Sequence, residues 1–126
     1  MTAAGQELAR LHQALSSYPR PFDDDGPAGP NRQPVHGDFR SANILVDGAC
    51  VVAVLDFDDA ATGSRIADLG KAAVLLATRY RDWAPTDPET RSAFIDAYRD
   101  LAPLTDIEQS ELARTIEAVT RRFGWT

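Results

Sequence analysis

Two clusters of polar side chains flank a pair of apolar segments in the middle of this chain. The first cluster reads HGDFRSAN from His36, and the second reads DFDD from Asp56. Between them lie the apolar runs 44–46 and 50–55, joined by an Asp-Gly pair at positions 47 and 48. Such a pair between two β-branched runs predicts a β-hairpin, because both turn positions favour positive φ. A closed hairpin brings its two ends side by side, so we expect the two clusters to be neighbours in space.

The residue types in these clusters are those that phosphoryl transfer needs. That reaction requires a carboxylate to orient the attacking hydroxyl, oxygen ligands for Mg²⁺, and positive charge near the transferred group. Asp38 is placed to accept the proton of a hydroxyl, and Arg40 follows two residues later, where it could face the developing negative charge. Asn43 and Asp56, brought together by the hairpin, offer hard oxygen atoms of the kind that Mg²⁺ prefers.

The order of these residues resembles the catalytic loop and metal-binding segment of the protein-kinase-like superfamily, H-R-D-x-x-x-x-N followed by D-F-G. A glycine follows His36, and an acidic residue replaces the last glycine of the superfamily pattern. Both departures make the chain similar to the aminoglycoside phosphotransferase family, which includes aminoglycoside, choline, homoserine and fructosamine kinases. The resemblance covers roughly residues 8 to 76 and implies transfer of phosphate to the hydroxyl of a small molecule.

The resemblance implies a role for each residue that matches the pattern. Asp38 would be the catalytic base, and Arg40, which stands where a histidine is common in the family, would support the reaction. Asn43 and Asp56 would hold the Mg²⁺ of bound ATP or GTP, with Asp58 as an additional metal ligand.

Two further residues would serve the structure of the site. The resemblance implies that His36 and Asp68 brace the catalytic loop. By contrast, His12 is expected on the surface of the first helix, and Cys50 is expected to be a small apolar strand residue.

The rest of the chain predicts an α+β, mostly helical fold, that of the C-terminal lobe of a protein-kinase-like protein with one hairpin carrying the catalytic loop. Leucines at helical spacing predict a first helix. Pairs such as Asp87-Pro88, and the pattern from Thr105 to Glu108, mark the starts of later helices. The predicted segments are a helix over 1–18, a loop over 19–34, the catalytic loop, hairpin and metal segment over 35–60, and a helical part over 64–126.

The resemblance also implies a second lobe that holds ATP with a lysine on a strand before the catalytic loop. The residues ahead of His36 contain no lysine and no strand pair, and the sole lysine is Lys71. We therefore expect this chain to be the C-terminal lobe without its nucleotide-binding lobe, and to be inactive alone. It would be a fragment, the partner of a separately encoded N-lobe, or a non-catalytic remnant or binding module. A Mg²⁺-dependent phosphohydrolase is a less favoured alternative.

Charge and composition limit the classes of molecule that the chain is expected to bind. The formal net charge of −6 argues against nucleic-acid binding and suits a cationic small-molecule acceptor. One cysteine excludes an internal disulfide and a cysteine-based zinc site. The chain has no signal peptide and no apolar run of the roughly 20 residues that span a bilayer. We therefore expect a cytoplasmic protein without a membrane partner.

Overall fold

The structure is a computed structural model and describes residues 2–18, 32–78 and 83–125. Four helices and four short strands make up these segments, which confirms the predicted α+β, mostly helical fold class. In chain order the elements are α1 (Thr2–Ser16), β1 (Arg32–Val35), a 3-10 turn (Ser41–Asn43), β2 (Ile44–Asp47), β3 (Cys50–Val54), β4 (Ala61–Ser64), α2 (Arg65–Leu75), α3 (Pro88–Leu101) and α4 (Asp106–Arg122).

The predicted hairpin is present as the antiparallel pair β2–β3, but its turn differs from the expected one. Asp47 pairs with Cys50, so the two central turn residues are Gly48 and Ala49 rather than the Asp-Gly pair. Only Gly48 of these has a positive φ, at 60°. This matches the hairpin turn that places glycine at its first central position. Cys50 lies in a strand as expected, but it is exposed.

A second two-stranded sheet, β1–β4, was not predicted. Val35 pairs with Ala61 and Arg32 with Ser64. The two strands therefore flank, along the chain, the catalytic loop and the hairpin. The assignment of residues 32–34 to a loop was therefore wrong, while residues 19–31 of that loop lie outside the described segments. Pro34 and the small residues of β4 gave a weak strand signal, because proline and glycine are depleted in strands.

The core forms where α1, α2 and α3 meet beneath the catalytic loop. Phe39, from that loop, is buried and lies 6.3 Å from the ring of Phe94 on α3. Helices α1 and α3 approach closely at Gly5, where a Cβ atom would stand 2.2 Å from the carbonyl oxygen of Phe94. The loop is thus anchored in the core by an aromatic side chain one residue after Asp38.

The predicted helix starts are confirmed. Asp87 caps α3 through its side chain with Pro88 in the first turn, and Thr105 and Glu108 form the capping box of α4. The first helix of the predicted helical part over 64–126 is α2, which ends at Leu75. At this end the hydroxyl of Thr86 donates to the carbonyl of Val74. Residues 79–82 of the predicted helical part lie outside the described segments.

Candidate active site

The hairpin brings the two polar clusters into direct contact. The imidazole Nε2 of His36 donates to the carbonyl of Leu55 at 2.9 Å, and the Leu55 amide donates to the carbonyl of Asn43 at 2.7 Å. Gly37 adopts φ 87°, and a Cβ atom there would stand 2.4 Å from the carbonyl oxygen of Asp59. Only a residue without a side chain fits between the HGD segment and the DFDD segment.

The carboxylate of Asp38 is held by its two neighbours in the pattern. Its Oδ1 accepts a hydrogen bond from Nε of Arg40 at 3.0 Å, and its Oδ2 accepts one from Nδ2 of Asn43 at 2.9 Å. The same amide nitrogen also donates to the Asp38 carbonyl. The Asp38 side chain is 20% exposed, so the oriented carboxylate still reaches the surface.

One candidate metal ligand, Asn43, contacts this carboxylate, and Asp56 directly follows Leu55, whose amide donates to the Asn43 carbonyl. Because the amide nitrogen of Asn43 faces Asp38, its amide oxygen is directed away from that carboxylate. Asp56 is exposed and has φ 58°, and no other non-glycine residue in the described segments has a positive φ. Such strained conformations cluster at functional sites. Its Oδ1 accepts from the backbone amide of Asp58 at 3.2 Å.

The donor set fits Mg²⁺ rather than a softer metal. An amide oxygen and a carboxylate are hard ligands, and Mg²⁺ is commonly bound by one or two carboxylates together with substrate phosphates. Within residues 2–18, 32–78 and 83–125, no group of three or more His, Cys, Asp or Glu side chains could hold a metal ion. Asn43, Asp56 and Asp58 therefore remain predicted ligands for a metal that arrives with its nucleotide.

The backbone before Asp38 is held by a buried carboxylate on α2. Asp68 accepts from the amide of Gly37 at 2.9 Å through Oδ1 and from the amide of His36 at 3.2 Å through Oδ2. The Nδ1 of His36 accepts from the Asp38 amide at 3.0 Å. Since its Nε2 donates to Leu55, this fully buried imidazole has the one-donor, one-acceptor pattern of the neutral ring.

Lys71 is a residue of this site that the sequence reasoning missed. Its ammonium donates to the carbonyl of Gly37 at 2.6 Å. Lys71 follows Asp68 by one turn of α2, so the two side chains hold the carbonyl and the amide of the same glycine. The spacing puts both side chains on one face of α2, but the contact with Gly37 is tertiary and has no signal in the sequence.

His12 is not on the surface of α1, and that expectation was wrong. It is 1% exposed, and its Nε2 donates to Oδ2 of Asp68 at 2.8 Å. Its Nδ1 lies 2.7 Å from the hydroxyl of Tyr98, which also accepts from Arg65 at 2.9 Å. His12 follows Leu8 by four residues, so it shares the apolar face of the helix and its burial was readable from the spacing.

Through His12, the hydrogen bonds that hold the catalytic loop are connected to α4. The Tyr98 hydroxyl, which accepts from Arg65, is also hydrogen-bonded to Nδ1 of His12. Arg65 in turn pairs with Glu108 at 2.9 Å. A continuous chain of hydrogen bonds therefore runs from the first turn of α4 to Asp68 and the catalytic loop.

Two pKa values reflect this network. Burial alone would raise the pKa of Asp68, but the hydrogen bond and charge of His12 and the amides of Gly37 and His36 outweigh it, so the pKa lies below its ordinary value. Burial raises the pKa of Tyr98, against the opposing effect of Arg65. Asp68 is thus ionised and Tyr98 keeps its proton at neutral pH.

Arg40 has a second partner besides Asp38. Its guanidinium carbon lies 5.5 Å from the ring centroid of Trp83, within the range of a cation–π contact. Nothing in the sequence pattern predicted this neighbour, because Trp83 lies in the segment before α3 and far along the chain from the catalytic loop.

The fold and this loop define the class of protein, a kinase-like C-terminal lobe. The model of the Phosphotransferase enzyme family matches residues 1–109, and the chain belongs to that family. A search of curated proteins gave no match to the chain. In the described part of the chain, no helix has the length and apolar character needed to cross a membrane.

Proposed function

We propose that the chain is the catalytic subdomain of an ATP-dependent small-molecule phosphotransferase that transfers phosphate to a hydroxyl. The observation that carries this proposal is the contact of Asp38 with both Asn43 and Arg40 beside the strained Asp56. A carboxylate, a basic side chain and an amide are among the groups that phosphoryl transfer requires, and their contact supports the proposal.

In this proposal Asp38 accepts the proton of the acceptor hydroxyl. Arg40 and Asn43 orient its two oxygens. A base that is already oriented toward the hydroxyl lowers the activation barrier of phosphoryl transfer. The fixed backbone of His36 and Gly37 holds the base in place, because Asp68, Lys71 and the His36 ring leave the preceding loop few ways to move.

Mg²⁺ bound with ATP or GTP would neutralise the charge that develops on the phosphates. Asn43 and Asp56 would hold the metal, and Asp58 would be an additional ligand. Asn43 would have two roles, because its amide nitrogen orients the base and its amide oxygen would be the metal ligand.

We further propose that the nucleotide is gripped by a separate lobe. The only lysine, Lys71, is engaged with the Gly37 carbonyl, so it serves the catalytic loop. The hairpin carries Leu45, Val46 and Val52, each half exposed or more, an apolar surface that such a lobe would cover. Residues 1–126 alone are expected to show little turnover.

A second candidate is a non-catalytic binding module derived from such a kinase. The Arg40–Asp38 ion pair favours it, because Nε occupies one oxygen of the carboxylate that would have to accept the proton. A phosphohydrolase is less favoured, since Asn43 and the spacing of the HGD segment fit phosphoryl transfer better.

The experiment adds a nucleotide-binding lobe from a member of the same family, as a fusion ahead of residue 1 or as a separate polypeptide. Mg²⁺–ATP and a panel of alcohols are then supplied, and the products are separated. A phosphorylated alcohol supports the phosphotransferase. Inorganic phosphate alone indicates a phosphohydrolase. If the complex folds and binds ATP but forms neither product, the chain is a binding module.

A further inference from the structure

A stack of aromatic rings extends outward from the candidate base. The rings of Trp83 and Phe123 lie 5.6 Å apart and those of Phe123 and Trp125 lie 5.2 Å apart, each pair inclined by 22°. Trp83 is 51% exposed and Phe123 is 37% exposed. We call these three residues the aromatic wall. Arg40 joins the wall to the base, since it contacts both Trp83 and Asp38.

The wall is bordered by positive charge. Arg40 lies against Trp83, and the guanidinium carbon of Arg122 lies 5.9 Å from the ring centroid of Phe123. Planar groups stack favourably on such rings. The charge of Arg40 is offset by its ion pair with Asp38, so the charge that acts on a ligand at the wall is mainly that of Arg122. A cationic ligand would be repelled by Arg122 and would compete with both arginines for the rings, whereas an anionic group would be attracted to Arg122.

The position of the wall in the chain suits a surface that selects the acceptor. Trp83 lies within the residues that match the family, whereas Phe123 and Trp125 lie beyond residue 109, where that match ends. The surface beside the base is therefore built partly from residues that the family pattern does not describe.

We propose that the aromatic wall binds the acceptor, and that the acceptor carries its hydroxyl on or next to a planar ring and bears a neutral or negative charge. This inference rests on the proposed phosphotransferase function and names its substrate class. It runs against the cationic acceptor that the net charge of −6 suits, because Arg122 lies against the wall and the charge of Arg40 is already offset by Asp38.

The test uses two small alcohols that share a ring and a hydroxymethyl group but differ in charge, 4-(hydroxymethyl)benzoate and 4-(aminomethyl)benzyl alcohol. Both tryptophans of the chain belong to the wall, so the two indole N–H signals in a proton–nitrogen NMR spectrum report on it directly. Each alcohol is titrated into the 126-residue chain. We expect the benzoate to shift both signals and to bind at least about tenfold more tightly than the ammonium compound.

Two pairs of variants sharpen the test. Arg122→Gln should reduce the preference for the benzoate, while Arg121→Gln should leave it, because Arg121 pairs with Glu117 instead of lying on a ring. Trp83→Leu should weaken benzoate binding by about tenfold. If the Trp83 variant does not fold, Trp125→Leu tests the same prediction at the other end of the wall.

Equal or tighter binding of the ammonium compound overturns the inference, as does the absence of any shift at the indole signals. Transfer from ATP is measured separately in the lobe-supplemented protein. If other alcohols are phosphorylated while the benzoate leaves the wall unaffected, the wall proposal fails and the phosphotransferase stands. If the benzoate binds the wall but no alcohol is phosphorylated, the phosphotransferase fails and the wall remains a binding site.

Discussion

His12 on α1 donates to Asp68 on α2 at 2.8 Å, and both side chains are almost fully buried. The same carboxylate accepts hydrogen bonds from the amides of His36 and Gly37. One ionised group therefore joins α1 and α2 to the catalytic loop. A buried carboxylate with several N–H donors is costly to disturb, because any change leaves donors without an acceptor.

Asp68→Asn should therefore destabilise the protein by about 3 kcal/mol, measured as the free energy of unfolding in urea at neutral pH. Asp96→Asn is the matched control, because Asp96 is exposed and pairs with Arg99 on the surface of α3. It should cost less than about 0.5 kcal/mol. Equal losses in the two variants would contradict a structural role for the buried pair.

The lowered pKa of Asp68 also predicts how stability depends on pH. A carboxyl whose pKa is lower in the folded state stabilises the protein above its unfolded pKa, here near 3.8, and this contribution is lost as pH falls through the folded value. Wild type should therefore lose stability below pH 3.8 more steeply than Asp68→Asn. Parallel curves of unfolding free energy against pH would show that Asp68 carries no such contribution.

Gly37→Ala should pull the two polar clusters apart. The added Cβ would meet the carbonyl of Asp59 at 2.4 Å, whereas one added at Gly48 would meet nothing within 4 Å. Both positions have positive φ, so Gly48→Ala controls for backbone strain, which costs about 1–2 kcal/mol. Gly37→Ala should lose at least about 1 kcal/mol more of the unfolding free energy. Equal losses would mean that the contact with Asp59 is unimportant.

Mg²⁺ should bind weakly to the chain, because Mg²⁺ usually completes its shell with substrate phosphates. Titration followed by NMR should shift the backbone amide signals of Asn43 and Asp56. Asp56→Asn should weaken the response, while Asp47→Asn at the far end of the hairpin should leave it unchanged. A response confined to the acidic residues 23–25 would show that the assigned site is wrong.

Much of this fold was readable from local signals in the sequence. The hairpin, the caps of α3 and α4 and the proximity of the two clusters all follow from residue types at short spacing, such as Asp87 before Pro88. Features that depend on pairing between residues far apart in the chain could not be read from the sequence. Strand β1 pairs with β4 across an intervening loop and hairpin, and neither strand has the alternating apolar pattern that marks a strand locally.

The candidate site shows the same division. Asp38, Asn43 and Asp56 stood out because their order forms a pattern along the chain. Lys71 and Trp83 did not, since a lone lysine on a helix and a tryptophan in a connecting segment acquire their roles only through tertiary contacts with Gly37 and Arg40. His12 was misjudged because histidine is often exposed, although its spacing from the leucines of α1 placed it on the buried face.

The most direct test of the proposed function is the effect of Asp38→Asn on transfer of phosphate from ATP to an alcohol in the lobe-supplemented protein. Asparagine keeps the shape of the side chain but cannot accept the proton, so kcat should fall by about 10²–10⁴ with little change in KM for ATP. Asp100→Asn, an exposed change near the end of α3, should leave both constants unchanged. Phosphoryl transfer that survives Asp38→Asn would contradict the assignment of Asp38 as the catalytic base.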